Sequence, residues 1–143
     1  MATFVILSIL LMQFAGRCSS SDHIETRSRK SLLDLNDMLS TVTGRSAYSD
    51  YNGYGCYCGS GGQGTPVDAT DRCCQAHDRC YDQLTNCSPK WQSYKYSCTG
   101  KSCTCSTANI GCASQICKCD LVFSNCAASS PFNVQYKNYK GKC

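Results

Sequence analysis

The pattern of apolar positions begins with an isolated apolar run near the start of the chain. Residues 4–15 form a mostly apolar stretch of twelve, which is too short to span a membrane and typical of a signal-peptide core. Small residues follow it, which predicts cleavage between Gly16 and Ser21, and we assign residues 1–18 to a signal peptide. The protein is therefore expected to be secreted and extracellular.

A polar segment, residues 19–30, separates this run from the first amphipathic stretch. It has no apolar periodicity and ends on the basic residues of 27–30. Such a cluster is often a solvated charge run. Its place after a signal peptide favours a pro-segment that is cleaved after Lys30, which leaves residues 31–143 as the single mature domain.

Helical periodicity dominates the mature domain. Leu32, Leu35 and Leu39 recur at helical spacing within residues 31–41, together with Met38, whose expected role is core packing. Asp68 is a candidate N-cap for a second helix over residues 69–85, and a third is predicted over 108–126. Residues 48–64 are rich in Gly and Tyr and predict a loop, residues 88–107 predict a short hairpin, and residues 127–143 are irregular.

Cysteines repeat every seven residues in both long helices, which keeps each set on one helical face. Antiparallel neighbours would pair the first cysteine of one set with the last of the other, as rungs about 10.5 Å apart. The expected pairs are Cys73 with Cys126, Cys80 with Cys119, and Cys87 with Cys112. Sequence alone does not fix connectivity, but the shared period favours this register.

Composition supports a disulfide scaffold. The chain has 143 residues and 15 cysteines, of which Cys18 leaves with the signal peptide. An even number remains, and full pairing is expected in an exported chain. The mature domain carries ten Lys or Arg and eight Asp, with no Glu. This balance is too weak to indicate a nucleic-acid partner, although it permits attraction to anionic lipid surfaces.

The helix register also brings a histidine beside a carboxylate. His77, the only histidine of the mature domain, and Asp120 would lie about 3 Å apart along the two axes. A histidine on a helix face is often structural. Here Asp120 can fix one tautomer and leave the other ring nitrogen as a general base, and Tyr81, one turn later, can donate to Asp120. No Gly-x-Ser-x-Gly motif occurs, so water is the expected nucleophile.

The glycine-rich loop 54–62 and Asp78 together form a candidate cation site. Asp78 points to the side of the helix next to His77, where its carboxylate could bind a cation. Successive backbone carbonyls and one carboxylate form a hard oxygen site that suits calcium. Zinc is the competing interpretation for a chain with many cysteines and a histidine. Paired thiols in an exported protein argue against zinc.

Three segments of this sequence resemble the signature segments of secreted calcium-dependent phospholipases A2, and the pancreatic and elapid-venom type above all. They are YGCYCGSGG at 54–62, DRCCQAHDRCY at 71–81 and CKCD at 117–120, and the likeness extends over residues 31–143. The resemblance implies a mainly α, disulfide-rich fold with an N-terminal helix, two long antiparallel disulfide-linked helices, a calcium loop and a small β-hairpin wing.

The resemblance also implies the activity and its partners. The reaction is calcium-dependent hydrolysis of the sn-2 acyl ester of glycerophospholipids at lipid–water interfaces, by a histidine-activated water. The expected partner is a phospholipid membrane surface or micelle, with no obligate protein partner and no nucleic acid.

The resemblance further implies the roles of the site residues, as follows. The calcium ligands are the carbonyls of Tyr57, Gly59 and Gly61 and the carboxylate of Asp78. The catalytic residues are His77, which activates water, and Asp120, which orients it. The supporting residues are Tyr81 and Tyr94, which hold Asp120, and Gly59, whose N–H stabilises the oxyanion. The wall of the substrate channel is Leu32, Leu35, Leu39, Tyr48 and Tyr51.

The resemblance implies further disulfides, and the sequence departs from the family at one of them. The implied pairs are Cys56 with Cys143, Cys58 with Cys74, and Cys105 with Cys117. Ser40 and Thr41 stand where the family has a cysteine in its N-terminal helix, so Cys98 loses its usual partner. We expect Cys98 to pair with Cys103 across the hairpin, with Cys105 as the alternative partner.

The sequence departs from the family at a second position, near the N-terminus. Asp34 replaces a glutamine common in the family near the N-terminus. Two alternatives to an active enzyme are a catalytically silent relative that binds calcium, a receptor or a mineral matrix, and a disulfide-rich toxin or inhibitor without chemistry. Intact His77, Asp78 and Asp120 favour the enzyme.

Overall fold

The computed structural model describes the backbone of residues 22–143 and the side chains from Ser31 onward. Its helices are α1 (Asp22–Thr43), α2 (Ala69–Asp82) and α3 (Cys112–Ala128). The strands β1 (Tyr96–Thr99) and β2 (Ser102–Cys105) form an antiparallel hairpin. A π-helical turn spans Ala47–Tyr51 and a 3-10 turn spans Val134–Tyr136. The predicted mainly helical, disulfide-rich fold class is confirmed, while the predicted signal peptide lies outside the described residues.

Helix α1 begins nine residues before the predicted start. The segment 22–30 contains neither Gly nor Pro, so nothing in its sequence interrupts a helix that continues into residues 31–43. In the C-terminal half of α1, Met38, Leu39 and Val42 are buried, which gives Met38 its predicted core role. The Asn36 side-chain oxygen accepts hydrogen bonds from Ser46 and Ala47 and thereby fixes the π-helical turn to α1.

Side-chain hydrogen bonds help to set where α2 and α3 begin. Asp68 caps α2 as predicted, because its carboxylate accepts the Asp71 N–H at 2.8 Å. Helix α3 begins four residues later than predicted. The Asn109 side chain bonds to both backbone groups of Lys95, at 2.8 and 2.6 Å, which holds the preceding segment against the hairpin as a loop. Gly111, with φ +55°, then leads into the helix.

Seven disulfides crosslink the described residues. Three join α2 or the turn after it to α3, with Cα separations of 5.6 to 5.8 Å. The full set is Cys56–Cys143, Cys58–Cys74, Cys73–Cys126, Cys80–Cys119, Cys87–Cys112, Cys98–Cys103 and Cys105–Cys117. Cys98 and Cys103 face each other across the hairpin, and the alternative pairing of Cys98 with Cys105 does not occur.

The buried side chains form two clusters. One includes Leu39, Tyr51 and Phe123 and borders the region of the predicted chemistry. The other includes Met38, Tyr94 and Ile116 and lies under the hairpin. Among the described residues, no helix is both long enough and apolar enough to cross a membrane.

Candidate active site

His77 and Asp120 face each other across the two disulfide-linked helices. The His77 Nε2 atom lies 2.7 Å from Asp120 Oδ1, and the imidazole is 10% exposed while the carboxylate is fully buried. With an ionised Asp120 as acceptor, Nε2 carries the proton that it donates. The other ring nitrogen, Nδ1, is then unprotonated and can accept a proton.

Two tyrosine hydroxyls complete the surroundings of the Asp120 carboxylate. Tyr81 donates to Oδ1 at 2.6 Å and Tyr94 donates to Oδ2 at 2.7 Å. Burial raises the pKa of both tyrosines, and the Asp120 charge raises it further. Both hydroxyls therefore keep their protons and act as donors. The structure brings together these four predicted residues through contacts from α2, α3 and the segment before β1.

Phe123 is part of this arrangement, although sequence reasoning missed it. Its ring centroid lies 4.8 Å from that of His77, and Tyr81 covers the same imidazole at 4.2 Å. Phe123 follows Asp120 by three residues on α3, so the helical spacing could have indicated that it shares the Asp120 face. The two rings limit how far the imidazole can rotate away from Asp120.

A cavity of about 300 Å³ opens beside His77. All five residues predicted for the substrate channel line it: Leu32, Leu35, Leu39, Tyr48 and Tyr51. Phe123 and Lys90 also line the cavity, which the sequence did not indicate. Asp78 and Gly59 of the predicted cation site border the same space. His77, the apolar wall and part of the candidate cation site therefore border one cavity, while Asp120 lies buried behind His77.

Within the loop between Tyr54 and Gly64, some carbonyls accept a hydrogen bond from a described residue and others do not. The carbonyls of Cys56 and Cys58 accept hydrogen bonds from Gln63 and Gly53, at 3.3 and 2.8 Å. By contrast, no hydrogen bond from a described residue reaches the carbonyl oxygens at the three positions predicted to bind calcium, which are Tyr57, Gly59 and Gly61. Gly59 and Gly61 have φ values of +126° and +79°, a region that favours glycine.

Asp78 supplies the carboxylate next to this loop. It is partly buried, and within residues 31–143 it forms no hydrogen bond or ion pair. Burial raises the pKa of Asp78, an effect that nearby Asp82 and Asp71 reinforce and that His77 and Lys90 oppose. A half-buried carboxylate without a partner is electrostatically suited to a cation.

The donor set fits calcium better than it fits zinc. Among the described residues, no group of three or more His, Cys, Asp or Glu side chains could hold a metal ion. All fourteen cysteines from Cys56 onward form disulfides, so none is available as a thiolate ligand. The oxygens that remain are backbone carbonyls and one carboxylate, which are the ligands of a hard cation such as calcium.

Comparisons with protein families and with known proteins point to the same family. Residues 32–137 match the family described as phospholipase A2. The phospholipase A2 of Oryctolagus cuniculus is 43% identical, over 98% of this chain and 99% of that protein. The acidic phospholipase A2 4 of Naja sagittifera is 46% identical, over 78% of this chain and 93% of that protein. The phospholipase A2 of Ovis aries is 48% identical, over 65% and 82% respectively.

Proposed function

The chain belongs to the phospholipase A2 family of phospholipid-hydrolysing enzymes, and we propose that it is a secreted, calcium-dependent enzyme that cleaves the sn-2 acyl ester of glycerophospholipids at lipid–water interfaces. The single observation that supports the catalytic part is the hydrogen bond between the buried Asp120 carboxylate and Nε2 of His77, a residue that lines the cavity. This contact leaves Nδ1 as a base.

In the proposed reaction His77 acts on a water molecule. Nδ1 accepts a proton from the water as its oxygen forms a bond to the sn-2 carbonyl carbon, and Asp120 stabilises the resulting imidazolium. The imidazolium then returns the proton to the glycerol oxygen as its bond to the acyl carbon breaks. The products are a free fatty acid and a lysophospholipid, and His77 is neutral again.

The loop and Asp78 contribute to stabilising the negative charge that develops on the carbonyl oxygen of the ester. The Gly59 N–H is the protein donor in this role, and such a donor is typically worth about 3 kcal/mol of transition-state stabilisation. The residues that would hold calcium are Tyr57, Gly59 and Gly61, through their carbonyls, and Asp78. When bound, the ion supplies a Lewis acid that polarises the ester carbonyl.

Exposed apolar side chains support a lipid surface as the partner. Leu32, Leu33 and Tyr48 are 37%, 45% and 49% exposed, and Trp91 is 57% exposed beside Lys90. Leu32, Tyr48 and Lys90 line the cavity itself. Apolar side chains and a cation at one opening match the chemistry of an acyl chain beneath an anionic headgroup.

Secretion and proteolytic maturation belong to the same proposal. Seven disulfides in so small a domain are typical of proteins that fold in an oxidising compartment. Residues 1–18 are assigned to the signal peptide and residues 19–30 to the pro-segment. The mass of the exported protein tests both cleavages, and it should correspond to residues 31–143.

The substitution His77→Gln tests the catalytic assignment. Glutamine retains an N–H that can reach Asp120 but cannot act as a base, so the rate of lipolysis should fall by about two to four orders of magnitude with the fold intact. Arg79→Gln is the matched control, because Arg79 is an exposed residue of the same helix, and it should keep the wild-type rate. Lipolysis by His77→Gln within tenfold of wild type would contradict the mechanism.

A further inference from the structure

Besides Asp120 on α3, helix α2 carries a buried carboxylate, that of Asp71, which the proposed mechanism does not use. Asp71 is completely buried. Its two oxygens accept hydrogen bonds from three backbone N–H groups, those of Cys56 at 2.8 Å, Tyr57 at 2.8 Å and Val67 at 2.9 Å. Within the described part of the chain no Lys or Arg forms an ion pair with it. The backbone of the loop therefore replaces water around this charge.

One of these hydrogen bonds holds Tyr57, a predicted calcium ligand whose carbonyl accepts no hydrogen bond from a described residue. The N–H of Tyr57 is fixed by Asp71, and the next N–H, that of Cys58, bonds to the Tyr54 carbonyl at 3.2 Å. Because the peptide is planar and trans, the Tyr57 carbonyl must point opposite to the Cys58 N–H. Its direction is thus set by protein contacts on both sides of Tyr57.

The same helix places Asp71 and Asp78 in register. They are seven residues apart, about 10.5 Å along α2 and on nearly the same face. The disulfide between Cys58 and Cys74 joins the loop to α2 between these two positions. The anchor of the loop and the candidate calcium carboxylate therefore belong to one rigid element.

Gly55 is shaped to this anchor. Its φ is +58°, and a β-carbon added at Gly55 would collide with the Asp71 carboxyl group. The close approach of backbone and carboxylate explains why the position before Cys56 is glycine.

We propose that Asp71 is a positioning residue of the calcium site, which keeps the Tyr57 carbonyl oriented as a ligand before calcium binds. The inference rests on the proposed function. This role differs from a general stabilising role because the Asp71 carboxylate accepts a hydrogen bond from Tyr57 itself, the residue that carries the proposed ligand carbonyl. Loss of Asp71 should therefore weaken calcium binding more than it weakens the fold.

The test is calorimetric titration with calcium chloride alone, on Asp71→Asn and wild-type protein with the disulfides intact. The amide has one acceptor oxygen, and its NH₂ group meets a backbone N–H, so the calcium Kd should rise at least tenfold. At saturating calcium, kcat should return to within about threefold of wild type, because Asp71 touches neither His77 nor the cavity. A catalytic residue would not be rescued in this way.

Thr70→Val is the matched control. Thr70 is the preceding residue of α2, is equally buried, and donates to the Pro131 carbonyl rather than to the loop. It should lower the melting temperature and leave the calcium Kd unchanged. A wild-type Kd in Asp71→Asn, or an equal shift in Thr70→Val at the same loss of stability, would overturn the inference.

Measurements on the wild-type protein keep the inference testable if Asp71→Asn does not fold. The amide protons of Cys56 and Tyr57 should be protected from exchange without calcium, and unprotected amides would overturn the inference. If wild-type protein binds no calcium, the proposed calcium site fails as well. If wild-type protein binds calcium and Asp71→Asn binds it with the same Kd, only the role of Asp71 is rejected.

Discussion

The unequal sharing of the Asp120 oxygens makes the two tyrosines unequal in their contribution to stability. Oδ1 accepts from both His77 and Tyr81, whereas Oδ2 accepts from Tyr94 alone among the described residues. Tyr94→Phe therefore leaves a buried charged oxygen without a partner, and Tyr81→Phe does not. Hydrogen bonds to charged groups contribute about 1.5–3 kcal/mol, and an unsatisfied buried acceptor makes the upper end of this range apply.

We expect Tyr94→Phe to lower the free energy of unfolding by about 2–3 kcal/mol and Tyr81→Phe by about 1.5 kcal/mol. The double variant should lose more than the sum, since His77 would then be the last partner of Asp120. Lipolysis should fall less than tenfold in each single variant, because the contact between His77 and Asp120 persists.

Denaturation with guanidinium, with the disulfides intact, measures these differences. Tyr57→Phe is the control, because its hydroxyl makes an exposed hydrogen bond to the Gly64 carbonyl, and it should change stability by less than about 0.5 kcal/mol. A loss in Tyr81→Phe equal to or larger than that in Tyr94→Phe would refute this reasoning.

Three further predictions concern stability. The buried Ser124 hydroxyl has no hydrogen-bond partner among the described residues, so Ser124→Ala should raise the free energy of unfolding by about 1 kcal/mol, and a loss would contradict this. The Cys98–Cys103 disulfide closes a loop of five residues, so replacing both with Ser should cost less than about 3 kcal/mol and preserve lipolysis; an inactive, unfolded product would show otherwise. A backbone N–H and Lys137 lower the pKa of Asp50, so this carboxylate stabilises the fold above about pH 4 and ceases to do so as the pH falls through its folded pKa. The stability difference between wild type and Asp50→Asn, less than about 1 kcal/mol at neutral pH, should vanish in acid, and a constant difference would exclude this role.

The helix pair was predictable because its signal is periodic. Cysteines at seven-residue intervals specify one face of each helix, and the register that they imply also places His77 opposite Asp120. The pairing of Cys98 with Cys103 followed from the family resemblance, which implied the other bridges and left Cys98 without its usual partner, together with Gly100 at the turn. In each case a short-range pattern and a covalent constraint point to the same contact.

Other features depend on contacts between distant residues and have no local signature. The late start of α3 follows from the hydrogen bonds between Asn109 and Lys95, fourteen residues apart. The grip of Asp71 on the loop depends on how residues 55–57 pack against the first turn of α2. Phe123 reaches His77 because α2 and α3 are neighbours, so its role becomes evident only once they are paired.

The central claim is calcium-dependent hydrolysis at the sn-2 position, and one measurement tests it most directly. Phospholipid vesicles with a different acyl chain at each glycerol position are treated with the wild-type protein, with calcium or with a chelator, and the released fatty acid is identified. The account predicts release of the sn-2 chain alone, abolished by chelator and by Asp78→Lys, which replaces the carboxylate with an ammonium group. Release of the sn-1 chain, or release that persists in chelator, would contradict it.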